Sequence, residues 1–157
     1  MKNRIIILFV TALFAVGMVA CAGPREQEVG ENTFQKVTIY HSNCNADGFD
    51  TVTVELEYLT PDKIWSELTA KGVIPSDVQI LTFEQHEEGG RRIILNLSES
   101  FHTHIRSFGT AGEYLIIGSI VNTFLSVYQA EGINIIVEGQ ILESGHAEYS
   151  GYLGIFE

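Results

Sequence analysis

Three consecutive segments decide the fold of this chain: RIILNLS at residues 92–98, TAGEYLIIGSIVNTFLSVYQAE at 110–131 and INIIV at 133–137. The first is rich in aliphatic residues and favours a β-strand. In the second, apolar side chains recur every three or four residues, as they do on one face of an α-helix. The third is apolar on both faces, which predicts a central strand. A strand, a long helix and a strand predict the core of an α/β domain.

The long helix carries start and stop signals of its own. Thr110 and Glu113 fit a Thr-x-x-Glu capping box, and Gly132 is expected to end the helix. A membrane span is the rival interpretation for residues 114–128. This segment has about 15 residues, fewer than the roughly 20 that a membrane-spanning helix requires, and polar side chains interrupt its apolar sequence. We therefore expect a core helix.

Flanking segments supply more strands and a second helix. Alternating residues at 36–42 and 51–58 predict two strands, the second with Tyr58 on its apolar face. Thr60 is expected to cap a shorter helix. Segments 78–83 and 92–97 flank a glycine pair and predict a hairpin. The fold class is thus α/β of the α+β type, a mixed sheet of about five strands and two helices in the order β-β-α-β-β-α-β. The tail is expected to turn back and pack its aromatic side chains across the domain.

The N-terminus has the features of an export signal. Lys2 and Arg4 precede the uncharged residues 5–20, and Ala20 precedes Cys21. A basic head, an apolar stretch and a small residue are typical of a secretion signal. The sequence Met-Val-Ala-Cys at 18–21 looks like a bacterial lipoprotein signal, in which the cysteine is acylated and becomes the new N-terminus. An uncleaved anchor and an ordinary signal are the alternatives.

These patterns divide the chain into three parts. Residues 1–20 are expected to be a lipoprotein signal peptide, and residues 21–35 a flexible, acidic tether that starts at the acylated Cys21. Residues 36–157 are expected to form a single domain on the extracytoplasmic face of the cell membrane. Cys44 is expected to be a small, partly buried residue near a strand end rather than a reactive thiol.

The charge of the chain disfavours nucleic acid as a partner. There are 9 Lys and Arg against 20 Asp and Glu, a formal net charge of -11. Contacts to phosphates need clustered Lys and Arg. The membrane, reached through lipid, and other envelope proteins or copies of the chain itself are the partners we expect.

In their order and spacing, these segments resemble the sporulation and spore germination domain called GerMN, from residue 37 to 156. The segments that carry the resemblance are VTIY at 37–40, GVIP at 72–75, ILNLS at 94–98, IVNTFL at 120–125, INIIVEG at 133–139 and Gly145-His146. The resemblance implies a compact sheet with two helices, no catalytic centre and no cofactor. It also implies membrane-attached envelope proteins of spore-forming, Gram-positive bacteria that act through protein contacts. The namesake protein carries two such domains and this chain one.

The connection between residues 98 and 112 is predicted to lack regular structure, and long loops of this kind often bind ligands. On an extended segment, His102 and His104 would point the same way and could share a metal, but they lack the partners that make metal spacing persuasive. Metal binding is therefore a weak alternative. The candidate binding residues of this loop are Phe101, His102, His104, Arg106 and Phe108.

Two functions remain open. In the first, the domain binds partner proteins or itself through a sheet edge, a helix face or the loop at 98–112. In the second, it binds a small ligand or a cell-wall fragment through Tyr40, His102, His104 and the tail aromatics. We do not expect an enzyme, since the sequence shows neither a nucleophile elbow nor a zinc-binding helix motif.

Overall fold

The computed structural model describes residues 34–157. The predicted signal peptide, the predicted lipid at Cys21 and nearly all of the predicted tether lie outside the described residues. The elements in chain order are β1 (Gln35–Ser42), β2 (Phe49–Leu56), α1 (Pro61–Ala70), β3 (Ile80–His86), β4 (Arg92–Leu97), α2 (Ser100–Arg106), α3 (Thr110–Tyr128), β5 (Gly132–Val137), β6 (Gln140–Glu143) and β7 (Glu148–Tyr149). The predicted order is present, with α2 added before α3 and two short strands added after β5.

Strands β1 and β2 form a two-stranded antiparallel sheet, with Gln35 opposite Leu56 and Ser42 opposite Phe49. Val37 and Ile39 alternate with less buried residues, as the sequence pattern requires. The predicted end of β2 was wrong: the strand stops at Leu56, and the Tyr58 side chain is 63% exposed. The backbone bends away there because it must reach the start of α1 at Pro61.

The second sheet has five strands in the order β3-β4-β5-β6-β7. The predicted hairpin is confirmed, because β3 pairs antiparallel with β4. Strand β3 runs from Ile80 to His86, later than predicted. Strands β4 and β5 are parallel, from Arg92 opposite Gly132 to Leu97 opposite Val137, and both helices α2 and α3 lie in the crossover between them. Strand β5 lies between β4 and β6, as its two-sided apolar pattern predicts.

Helix α1 starts as the sequence predicts. The Thr60 side chain accepts a hydrogen bond from the Lys63 backbone N–H at 3.3 Å, and Pro61 occupies the first turn. Ile64, Trp65 and Leu68 are buried. The helix ends before Gly72, whose φ of 72° suits glycine, since a side chain is strained in the left-handed region.

Helix α3 lies at the centre of the fold. It packs against β1, where the Tyr40 N–H donates to the Thr123 hydroxyl at 2.9 Å. It also packs against the five-stranded sheet, where Phe124 lies 5.9 Å from Phe83 between ring centres. The helix is long and apolar enough to cross a membrane, yet 67% of that window is buried inside the fold. A helix that is buried on most of its sides is expected to be apolar nearly all round. The burial of α3 therefore agrees with the core helix that the sequence predicts.

Both predicted ends of α3 were wrong. Gly109 is the N-cap residue, no side chain caps the helix, and Glu113 is turned inward and buried. The helix ends at Tyr128 rather than near Gly132, because Gln129 adopts a left-handed conformation with φ of 51°. Such a residue terminates a helix by redirecting the backbone.

The tail packs back onto the domain, as predicted. Leu153 and Ile133 exchange backbone hydrogen bonds of 2.8 and 3.0 Å. The Asn122 side chain donates to the Phe156 carbonyl at 2.9 Å and accepts from its N–H at 2.8 Å. The ring of Phe156 also lies 5.0 Å from that of Tyr114. This pairing fixes the last residues of the chain against α3.

Candidate functional site

The segment between β4 and α3 is not the structureless loop that the sequence predicts. It contains α2, whose Phe101 and Ile105 are both fully buried. Residues four apart lie on one face of a helix, so these two side chains anchor α2 to the core. The Ser100 hydroxyl adds a hydrogen bond to the Asp77 carbonyl at 3.2 Å. Phe101 is therefore a core residue, which corrects its assignment as a candidate binding residue.

His102 and His104 do not converge on a shared position. On a helix, successive side chains are rotated by about 100°, so residues two apart point in nearly opposite directions. His102 Nδ1 lies 3.3 Å from a Glu99 carboxylate oxygen, whereas His104 Nε2 donates to the Val73 carbonyl at 3.3 Å. Within residues 34–157, no group of three or more His, Cys, Asp and Glu is placed to hold a metal ion. The expectation that these two histidines share an extended segment was wrong.

Other predicted residues have mixed outcomes. Arg106 and Phe108 are exposed, in the last turn of α2 and just after it. Tyr40 lies on β1 and bonds through its backbone to α3, far along the chain from the histidines. Cys44 is exposed in the turn between β1 and β2 rather than partly buried, because the turn projects beyond the strand ends. The residues proposed for a ligand or wall fragment therefore come from separate elements.

An apolar groove of about 320 Å³ lies next to Phe108. The turn after β1, the loop after α1 and the start of α3 form its walls. Its lining residues are Ser42, Ala46, Lys71, Gly72, Val73, Phe108, Gly112, Leu115, Ile116 and Ser119. Cavities of this size accept a large side chain or a small molecule.

Phe108 is held at the groove by its neighbours. The His104 ring contacts it edge-on, with centres 5.0 Å apart. Gly112 leaves room for it, since a Cβ at that position would lie 2.9 Å from Phe108 Cδ1. Through its bond to Val73, His104 also joins α2 to the loop after α1. One histidine thus positions both Phe108 and the loop after α1.

Two hydroxyls line the groove, and both are hydrogen-bonded within the chain. The Ser119 hydroxyl donates to the Leu115 carbonyl at 2.7 Å, and the Ser42 hydroxyl donates to the Asn43 carbonyl at 3.2 Å. Among the described residues that line the groove, Lys71 is the only one that carries a charge. The chain has a net charge of -11, so a lone cation at an apolar groove favours an occupant with an apolar part and an anionic part.

A second cluster, centred on Glu113, ties α3 to the hairpin β6–β7. One Glu113 oxygen accepts from the Ser144 hydroxyl at 2.5 Å and the Tyr149 hydroxyl at 2.6 Å. Burial, the hydrogen bond and the charge of Glu113 all raise the pKa of Tyr149 well above its usual value. The tyrosine therefore stays protonated and keeps donating. The cluster places a buried carboxylate against two hydroxyls, and it contains no imidazole that could act as a general base. We therefore interpret it as a structural contact between α3 and the hairpin rather than as a catalytic nucleophile with its base.

Sequence reasoning missed most of the groove. In the sequence, Lys71 and Gly72 indicate only where α1 ends. Leu115 and Ser119 indicate only positions on the long helix. No local signal joins these segments, because the walls come from three places in the chain. Phe108 is the one candidate binding residue from the sequence that lines the groove.

Comparison with known proteins supports both the fold and the family. The profile of the Germane family, described as sporulation and spore germination, matches residues 26–143. The tandem GerMN domains of the sporulation protein GerM from Bacillus subtilis match with a TM-score of 0.54 and 16% identity, over 87% of this chain and 49% of that chain. This chain thus spans about half of that structure.

A crystal structure of a candidate lipoprotein from Clostridium perfringens also matches, with 18% identity and a TM-score of 0.45, over 77% of this chain and 87% of that chain. No curated protein matches the sequence. The family profile covers most of the chain, and the solved GerMN domains share its mixed α+β fold. The chain belongs to the Germane family of sporulation and spore germination domains, as its resemblance to GerMN predicts.

Proposed function

We propose that this sporulation and spore germination domain is a non-enzymatic protein-binding module that acts at a membrane surface. Its binding site is the apolar groove beside Phe108. The partner inserts a large apolar side chain there and places a carboxylate next to Lys71. One observation carries this proposal: the groove is apolar, its hydroxyls are bonded within the chain, and a lysine is the only charged residue that lines it in the part of the chain that the structure describes.

Protein is favoured over a cell-wall fragment by the chemistry of the lining. Sugars and short polar peptides need several hydrogen-bonding groups at fixed positions. The lining offers few polar groups, and those of Ser42 and Ser119 already have partners. Buried apolar anchors beside a charged rim are typical of protein interfaces.

The groove is tested by reversing its charge. Lys71→Glu should weaken recovery of the partner about tenfold in cross-linked pull-downs from membranes of a sporulating culture, since it places a carboxylate against a carboxylate. Lys63→Glu, also exposed but on α1 away from the groove, is the matched control and should leave recovery unchanged. Equal losses in the two variants, or no loss in either, would contradict the proposal.

A second variant separates shape from charge. Phe108→Ala removes an aromatic side chain that is 39% exposed at the groove, so it should reduce partner recovery without unfolding the domain.

The same variant also distinguishes protein binding from binding of a cell-wall fragment. If a peptidoglycan fragment stabilises the soluble fragment of residues 34–157, and Phe108→Ala abolishes that stabilisation, the groove binds cell-wall material instead. That fragment contains the whole hydrophobic core of the described domain.

We further propose that Cys21 is acylated and holds the domain at the extracytoplasmic face of the membrane. The support is the order of basic head, apolar stretch, Ala20 and Cys21 in the sequence. Each acyl methylene that enters the bilayer contributes about 0.8 kcal/mol, so more than one chain gives firm attachment. Cys21→Ala should shift the protein out of the membrane fraction. A variant that stays wholly in that fraction would rule lipid attachment out.

A further inference from the structure

The five-stranded sheet has one face that the described helices do not cover. On β4 and β5, buried residues alternate with half-buried ones, and the buried set faces α3. The opposite set points away from the helices. We call this surface the outer sheet face. Its residues on the three strands that matter here are Arg92, Ile94 and Asn96 of β4, Asn134 and Ile136 of β5, and Ile141 and Glu143 of β6.

An apolar stripe crosses this outer sheet face. Ile136 lies directly opposite Ile141, and Ile94 lies opposite Asn134, two residues before Ile136. Side chains opposite or diagonal to one another on a sheet face are in contact range. Ile141 is 49% exposed, and Ile94 and Ile136 are half-buried. Three isoleucines therefore form a continuous apolar strip on the side of the sheet away from α3.

Acidic side chains border the strip on both sides. Glu84 of β3 lies opposite Ile94 at one edge, and its carboxylate lies 3.4 Å from His86 Nε2. Glu143 of β6 and Glu148 of β7 lie opposite each other at the other edge, and all three carboxylates are exposed. Like charges placed directly opposite one another in a sheet are destabilising. The Arg92 guanidinium, on the same face, lies 4.8 Å from the centre of the Tyr152 ring. A bound cation at the pair of glutamates would relieve their repulsion.

We propose that the outer sheet face binds a protein segment that presents aliphatic side chains flanked by Lys or Arg. The aliphatic groups cover the isoleucine strip, and the basic groups pair with Glu84 and with Glu143 and Glu148. A second copy of this chain is the poorer occupant, because its net charge of -11 would oppose association. An anionic membrane surface is excluded on the same ground.

This surface is distinct from the one in the proposed function. The groove is lined by α3, Phe108, the turn after β1 and the loop after α1, and by no residue of the five-stranded sheet. The outer sheet face lies on the side of that sheet away from α3. One domain could then contact two proteins at once, and a change on either surface should leave the other intact. Failure of one proposal therefore does not decide the other.

The test uses nuclear magnetic resonance on the isotopically labelled fragment of residues 34–157. The probe is a seven-residue, end-capped peptide that alternates lysine and isoleucine, and its matched control has glutamate in place of lysine. We expect the lysine peptide to shift amide signals in β4, β5 and the hairpin β6–β7. Its affinity should fall about tenfold between roughly 50 and 300 mM salt, since ion pairs at the surface are screened. The glutamate peptide should cause no shifts.

Two variants complete the test. Ile141→Lys changes a half-exposed side chain and should abolish binding of the lysine peptide while the spectrum stays folded. The pair Glu143→Gln and Glu148→Gln should remove most of the salt dependence. Three results would overturn the proposal: equal shifts with both peptides, shifts confined to the groove, or dimerisation of the fragment through this face without any peptide.

Discussion

Glu113 shows most clearly what a local pattern misses. Its position three residues after Thr110 predicts a capping box, yet the side chain is buried and bonded to Ser144 and Tyr149. Both partners lie more than thirty residues away in sequence. A glutamate can serve either in a helix cap or as a buried hydrogen-bond acceptor. Only the tertiary contacts show which of the two roles Glu113 has.

Removing one donor from the Glu113 cluster should weaken the fold. Tyr149→Phe leaves the Glu113 carboxylate with Ser144 as its remaining donor. A hydrogen bond to a charged group contributes about 1.5–3 kcal/mol, so we expect the free energy of unfolding in urea to fall by that order. Tyr152→Phe is the matched control, since its ring is 43% exposed, and it should change stability by less than about 0.5 kcal/mol. Similar losses in both variants would contradict the structural role of the cluster.

Tyr128 should behave in the opposite way. Its hydroxyl is buried and has no hydrogen-bond partner within the described residues. Removing an unsatisfied buried group is close to neutral or stabilising. We therefore expect Tyr128→Phe to leave the urea midpoint at neutral pH unchanged or slightly higher. A clear loss of stability at pH 7 would show that the hydroxyl has a partner.

The same residue gives a pH dependence. Burial, together with the charge of Asp62, raises the pKa of Tyr128 from 10.0 to about 12. Above pH 10 the unfolded chain loses this proton while the folded chain keeps it, so the folded state binds more protons. The contribution of the protonated Tyr128 to the free energy of unfolding should be fully present below pH 10 and should be lost between pH 10 and about 12. Urea midpoints across that range should decline less steeply in Tyr128→Phe. An unchanged slope would contradict the shifted pKa.

At the scale of elements, regular patterns were predicted well and short ones poorly. The cap at Thr60, the hairpin of β3 and β4 and the central position of β5 follow from local residues. Helix α2 does not, although Phe101 and Ile105 have helical spacing. Among the described helices, α2 and α3 have no side-chain cap, and a seven-residue helix such as α2 is too short to be stable alone. Burial of those two side chains stabilises it.

The packing of α3 against its neighbours makes a sharp prediction. A Cβ at Gly118 would collide with the Phe49 ring and lie 3.1 Å from Phe156 Cβ. Alanine favours a helix over glycine by about 1 kcal/mol, but overpacking costs about 1–3 kcal/mol. We expect Gly118→Ala to lower the melting temperature. Gly154→Ala, where nothing lies within 4 Å, is the control and should not. A more stable Gly118→Ala protein would show that the tail and β2 adjust freely.

For the whole molecule, the order of segments predicts the family and the mixed fold, and both are confirmed. The division into a two-stranded and a five-stranded sheet could not be predicted, because strand pairing depends on contacts between distant segments. The groove could not be predicted either, since Ser42, Lys71 and Leu115 meet only in the folded chain. Function at this scale depends on surfaces that tertiary structure creates.

The central claim is that a protein occupies the groove, and site-specific photo-cross-linking in sporulating cells tests it most directly. A photoreactive residue at the position of Ser42 lines the groove, while one at Lys63 does not. We predict a cross-linked product with the added mass of a protein from position 42 and none from position 63. Equal products from both positions, or an adduct at position 42 with only the mass of a small molecule, would contradict the claim.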